Sequence, residues 1–278
     1  MKRPVIFHLL LGCNVLGLLT AAGYLFFVAT RWGQEFDYMS FKGHLELTPT
    51  LINWSTSLMY LVGVPAMLVA VAGLVGISLY RRRYLLGFLA LLAIGCAIAG
   101  TATFKKTLPR PSVGGPSLHE WENLVNETYP SGHTTFPTVI ALAFLLVSSP
   151  RWRPWVACAG ALVATLFGFG VIFVGGHRPA DPMGAILWST FCMSFAAAAA
   201  LRFRGDLAVS EPNSHALTTG LTLCLVPAII TLFSTRDISP TFLPLFPMLA
   251  VISLTAFACF AWLAWLLSGE DAAKSEAL

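Results

Sequence analysis

Eight apolar runs, separated by short polar connections, organise this 278-residue chain. They fall at about 6–29, 54–80, 84–104, 134–150, 155–175, 183–201, 216–233 and 245–267. A helix needs roughly 20 apolar residues to cross about 30 Å of hydrocarbon, and the runs are near that length. The fourth is the shortest and the sixth is rich in alanine. The pattern predicts an all-α, polytopic transmembrane helical bundle of about eight spans. The first long connection, about 30–53, mixes aromatic and charged residues and reads as a short amphipathic helix along the membrane interface. The second, about 105–133, holds SVGGPSL, a loop by its Gly, Pro and Ser content, then HEWENLVNE, which reads as one or two helical turns. A polar segment, RFRGDLAVSEPNSH, divides six spans (residues 1–204) from two further spans and a tail (205–278), and the tail GEDAAKSEAL reads as disordered.

Composition agrees with the pattern. The chain is 56% apolar and 11% charged, with a mean hydropathy of +0.75, whereas soluble domains carry about a quarter charged residues. The first apolar run follows Lys2 and Arg3 as a signal peptide would, but it exceeds an h-region of about 7–15 residues and reads as an uncleaved first span. Ten basic residues (Lys2, Arg3, Arg81, Arg82, Arg83, Arg151, Arg153, Arg202, Arg204, Lys274) fall on one face and seven (Arg31, Lys42, Lys105, Lys106, Arg110, Arg178, Arg236) on the other. Four of those seven belong to the motifs below, so the positive-inside rule puts both termini in the cytoplasm and the motifs outside. In a Gram-negative bacterium that location is the inner membrane, with the motifs facing the periplasm. The six cysteines fall in or beside apolar runs without a CxxC, which indicates neither a disulfide framework nor a thiolate metal site. The net charge of +4 suits anionic lipid headgroups, not nucleic acid.

Three polar pieces then stand out on the outer face: Lys105-Lys106-Thr107-Leu108-Pro109-Arg110-Pro111, Pro130-Ser131-Gly132-His133, and His177-Arg178-Pro179-Ala180-Asp181. Ionisable residues at a membrane are costly and mark function by default. Phosphoryl transfer needs positioning and neutralisation of the equatorial oxygens. Lys105, Lys106 and Arg110 bring positive charge. Ser131 and Gly132 lead into a span, where backbone N–H groups face an incoming anion and the glycine allows close approach. His177 and Asp181 are four apart, so the carboxylate can hold one ring nitrogen and leave the other as a nucleophile. His133 is then the acid that protonates the leaving alkoxide.

PSGH, the later H-x-x-x-D and the upstream lysine before Arg-Pro resemble the type 2 phosphatidic acid phosphatase superfamily, over about residues 50–200. The resemblance implies a six-helix phosphatase-like core with its site at the outer membrane face, and two additional C-terminal helices. It implies His177 as nucleophile, Asp181 as its partner, His133 as acid, and Arg110, Ser131 and Gly132 as phosphate ligands, without metal or cofactor. Two positions depart from the family pattern. The family lysine falls at Thr103, with Lys105 and Lys106 two and three residues closer to Arg110 than the family spacing. The Ser-Arg pair that opens the third motif falls at Gly170 and Val171, so a phosphate-binding arginine is absent, and Arg178 is the candidate to replace it.

A serine-hydrolase triad of Ser131, His177 and Asp181 would leave His133 idle. A metal site of His133, His177 and Asp181 lacks a fourth ligand. The expected function is an integral membrane phosphatase of a lipid phosphate or diphosphate working through a phosphohistidine. The alternatives are a phosphotransferase using the same intermediate, or a non-catalytic lipid-phosphate-binding or transport protein. The expected partners are a lipid phosphate substrate and membrane lipids, while substrate identity and oligomeric state are open.

Overall fold

The computed structural model describes residues 2–111, 128–149, 151–203, 214–235 and 238–267. The SVGGPSL loop, the HEWENLVNE turns, most of the 202–215 segment and the C-terminal tail lie outside the described residues. All the apolar runs are helical. Helix α1 (Lys2–Gly23) continues through a π-turn at Tyr24–Val28. It is followed by α2 (Arg31–Lys42) and a short 3-10 turn, Gly43–Glu46. Then come α3 (Pro49–Tyr60), α4 (Val64–Tyr80), α5 (Tyr84–Thr107), α6 (Gly132–Val147), α7 (Arg153–Phe173), α8 (Ala180–Phe203), α9 (Ser214–Phe233) and α10 (Leu245–Leu266). Among the described residues the sole β pairing is an isolated bridge between Leu47 and Thr235.

Among the described residues five helices have the length and apolarity of a full span: α1 with its π-turn, α5, α7, α8 and α10. The second predicted span is broken. α3 and α4 meet at a bend of 58°, where Gly63 is extended and proline follows at the second position of α4. Proline removes a backbone donor and disfavours helix in the residue before it. α6 and α9 are shorter apolar helices.

The bundle is organised around α6, which packs on α5, α7 and α8, while α5 also packs on α8. α1 lies along α8, while α9 and α10 lie along α7. Small residues set the close approaches, as is usual where lipid gives no hydrophobic drive for helix association. Gly160 of α7 receives the fully buried ring of Phe260 from α10, and Gly168 faces Ile252 of the same helix. At the far end, buried Arg153 donates to the carbonyl of Leu267 at 3.1 Å, fastening the end of α10 to the start of α7.

α2 is the amphipathic helix expected between the first two spans. Thr30 caps it by accepting from the Gly33 N–H at 3.1 Å. Its two faces are both informative. Trp32, Phe36 and Met39 are exposed and share one stripe, the composition of an interfacial anchor. Gly33, Gln34, Asp37, Tyr38 and Phe41 form the opposite, buried face. Gly33 sits so close to the Phe26 backbone that a Cβ would collide with it, which presses this face onto the end of the bundle.

Gly160→Val tests the α7–α10 seam. Its side chain must displace the Phe260 ring, and overpacking of this kind costs about 1–3 kcal/mol. The thermal unfolding midpoint in detergent is expected to drop by several degrees. An unchanged midpoint would mean that the seam carries no stability.

Candidate active site

Each candidate side chain sits at the same end of the bundle, placed there by local sequence chemistry. α7 ends in a Schellman motif. Gly175 adopts φ +72, its N–H donates to the Ile172 carbonyl at 2.9 Å, and the Gly176 N–H donates to Val171 at 3.0 Å. The His177 N–H also donates to Val171 at 3.0 Å. Gly175 is needed for that left-handed turn, and His44 Nε2 lies 3.2 Å from where a Cβ would stand. The chain is thereby turned back across the helix end, and α8 begins at Ala180.

Asp181, in the first turn of α8, is fully buried and gathers the three polar pieces. Its Oδ2 accepts from His177 Nδ1 and from the Arg178 N–H, both at 3.1 Å. Its Oδ1 accepts from Arg110 Nη2 at 3.3 Å. Its backbone carbonyl accepts from the Ser131 N–H at 3.1 Å. With Nδ1–H held by the carboxylate, His177 presents Nε2 as a lone-pair donor.

Ser131 is the N-cap of α6 and is buried, its Oγ accepting from the Thr134 N–H at 3.4 Å and the Thr134 hydroxyl at 3.2 Å. The first N–H groups of a helix have no intrahelical acceptor, so Gly132 and His133 offer theirs at this end. His133 is exposed and lies within electrostatic reach of His177 and Lys105. Lys105 Nζ lies 4.0 Å from the position of a Cβ on Gly132. The two lysines are therefore distinguished: Lys105 is half-buried toward the α6 start, and Lys106 is exposed. The signal lay in the helix period. Ala97 and Thr101 are buried, Thr101 touches Thr135 of α6 hydroxyl to hydroxyl at 3.1 Å, and Lys105 is the next position on that face. Thr103, at the family lysine position, is exposed.

Arg110 is buried and occupied. Besides Asp181, its Nη1 reaches the Phe27 carbonyl at 3.3 Å and Asp37 Oδ2 at 3.6 Å. The segment around it is held by Tyr24, which donates to the Pro109 carbonyl at 3.2 Å, and by Gln34, which donates to the Pro111 carbonyl at 2.8 Å. Arg178 is also buried, and its guanidinium lies 5.7 Å from the centre of the Tyr38 ring. Its Nη1 has no hydrogen-bond partner among the described residues. Burial, and after it the neighbouring Arg110, draws Arg178 below the usual arginine range. Val171, at the expected arginine position, is buried in the apolar core and contributes only its carbonyl, as the cap of α7.

Asp37 is the site residue that the sequence reading missed. Fully buried, it accepts from the Ala180 N–H at 2.9 Å and thereby caps the start of α8 from α2. Burial pushes its carboxyl up to about 7, against the pull of Arg110 and with the repulsion of Asp181. Its signal was the spacing of Gly33, Gln34, Asp37, Tyr38 and Phe41, which puts an acid in the middle of one helical face. Among the described residues, no three His, Cys, Asp or Glu side chains are grouped to hold a metal.

This is a helical membrane protein with a histidine–aspartate pair and two buried arginines at one end of its bundle. The family model of the PAP2 superfamily matches residues 83–206, a segment that covers α5 to α8 and holds every site residue read from the motifs. The resemblance to the type 2 phosphatidic acid phosphatase superfamily is shown for that segment, and with it the coarse class of activity, hydrolysis of a phosphoric ester. No curated protein and no solved structure matches the chain.

A pH dependence follows from Asp37. Below about 7 its carboxyl is neutral, and above that it is ionised, where it competes with a bound anion for Arg110 and Arg178. Sulfate, whose charge is constant over this range, is expected to bind more weakly as pH rises through 7, by up to about tenfold per pH unit. Asp37→Asn should flatten that part of the profile in calorimetric titrations. Identical profiles for the two proteins would remove Asp37 from the anion site.

Proposed function

We propose that the chain is an integral membrane phosphatase that removes phosphate from a lipid phosphate or diphosphate, through a phosphohistidine, at the outer membrane face. The observation that carries this reading is the Asp181 carboxylate, bonded at once to His177 Nδ1 and Arg110. In the first step His177 Nε2 attacks phosphorus, and the phosphorus–oxygen bond to the lipid breaks. His133 gives its proton to the departing alkoxide. In the second step His133 takes a proton from water, whose oxygen attacks the phosphohistidine, releasing inorganic phosphate and restoring His177. Lys105, Arg178 and the N–H groups of Gly132 and His133 face the equatorial oxygens, where charge-assisted hydrogen bonds are the strong ones. Arg110 reaches the phosphate by sharing its guanidinium with Asp181. Ser131 acts mainly by capping α6 and aiming those N–H groups.

Arg178 stands in for the arginine absent at Val171. It is support for this reading that a buried guanidinium keeps Nη1 without a protein partner. The excess of basic residues at the opposite ends of the spans supports cytoplasmic termini and an outward site, which in a Gram-negative bacterium means the inner membrane with the site facing the periplasm. If the phosphoryl group passes to an acceptor other than water, the same residues make a phosphotransferase.

The deciding experiment measures phosphate release from a panel of lipid phosphates in detergent, with trapping of acid-labile phosphoenzyme. Wild-type protein should release phosphate. His177→Ala should lose both release and phosphoenzyme, and His133→Ala should be crippled. Arg178→Ala and Lys105→Ala should each lower kcat/KM by about 10- to 100-fold, the worth of one charge-assisted hydrogen bond. Lys106→Ala should stay within about twofold. Phosphoenzyme without release would indicate a transferase. Neither release nor phosphoenzyme from any substrate would leave only phosphate binding.

A further inference from the structure

α1 and α10 both pack on α8 but scarcely touch each other. The gap between them is a lateral crevice of about 780 Å³, within the ~300–1,000 Å³ of sites that hold small molecules. Its wall is carbon almost throughout: Val15 and Leu19 of α1, Met183 and Leu187 of α8, and Ala258 and Trp262 of α10. The hydroxyls that touch it are already bonded elsewhere, Thr255 to the Val251 carbonyl at 2.8 Å and Tyr129 to the Thr20 carbonyl at 2.7 Å.

Two features say what belongs there. The first is continuity with the phosphate site. The crevice ends on Phe27 and Ala180, the residues whose backbone carbonyl and N–H bond Arg110 and Asp37. The second is depth. The crevice is lined on α1 from His8 to Phe27, about 28 Å at 1.5 Å per residue. That is close to the ~30 Å of a hydrocarbon core and holds a fatty-acyl chain along its whole length, whereas a long isoprenoid would run out of it.

We propose that this crevice holds a fatty-acyl chain of the lipid whose phosphate group sits at His177. The proposal rests on the lipid phosphatase reading for the position of the headgroup. It gives α10, which lies beyond the family-matched segment, a direct part in substrate recognition.

A phosphatidate bearing a photoactivatable diazirine in one acyl chain tests it on the full chain in detergent micelles. Labelling should map to α1 and α10 and be suppressed by excess dioleoyl phosphatidate but not by dioleoylglycerol. Equal suppression by both would mean that any lipid fills the crevice and would overturn the proposal. Labelling elsewhere, or suppression by undecaprenyl phosphate alone, would also overturn it. In kinetics, Val15→Trp and Ala258→Trp should raise KM for dioleoyl phosphatidate about tenfold or more. Both should leave hydrolysis of dihexanoyl phosphatidate within about twofold, as should Leu92→Trp, an exposed α5 position outside the crevice, for either substrate. Unchanged KM values in the crevice variants would count against it. If wild-type protein hydrolyses neither substrate, the phosphatase reading falls, and selective photolabelling still decides the crevice.

Discussion

The Asp181 carboxylate is the group on which the site depends. Buried without solvent contact, it needs its lone pairs answered, and the answers come from distant Arg110 and from the neighbouring His177 ring and Arg178 N–H. Its own carbonyl then holds Ser131 at the head of α6. Breaking a buried ion pair by removing one partner costs about 3–5 kcal/mol, because the other charge is left uncompensated. Placement of the His177 ring and closure of this end of the bundle therefore depend on one group, for the carboxylate that orients the imidazole also ties Arg110, after α5, and the start of α6 to α8.

Loss of the arginine at the Val171 position becomes intelligible in the same frame. A cation placed on the last turn of α7 would have to reach past the Schellman turn. Arg178 lies after that turn, where the reversal set by Gly175 has already brought the chain across the helix end. A residue adjacent to a nucleophile usually points away from it. Here Tyr38 of α2 supplies a ring for the guanidinium to lie over, and the cation is kept in the cluster. The position of the Arg178 guanidinium therefore depends on α2, an element outside the matched segment.

Local chemistry was legible in the chain, and convergence between distant elements was less so. Apolar runs mark spans because hydrocarbon demands them, and PSGH and HRPAD carry their own turn and helix-start signals, so the helical runs and the pairing of His177 with Asp181 could be read directly. The break at Gly63–Pro65 was hidden because apolarity continues through it. Lys105 and Lys106 looked equivalent as charges, and only the face shared with Ala97 and Thr101 separates them. Asp37 was obscured for a different reason. An acid in an amphipathic interfacial helix reads as solvated, and its burial follows from the packing of α2 onto the bundle end, which no single segment encodes.

Charge balance shows why Asp37 belongs in the machinery. With both acids ionised, two arginines face two aspartates and the cluster is neutral, whereas a phosphate monoester carries about −1.5 to −2. The two acids are not equally held. Asp181 receives three donors, while Asp37 receives the Ala180 N–H and a longer ion pair, and its Oδ2 lacks a hydrogen bond. In the proposed site Asp37 is therefore the acid that would take up a proton on anion binding, leaving the cluster one positive charge richer and, with Lys105, close to the charge of a phosphate. Because Arg178 is drawn in through α2, the helix that supplies the ring beneath the cation also supplies the carboxylate that faces it.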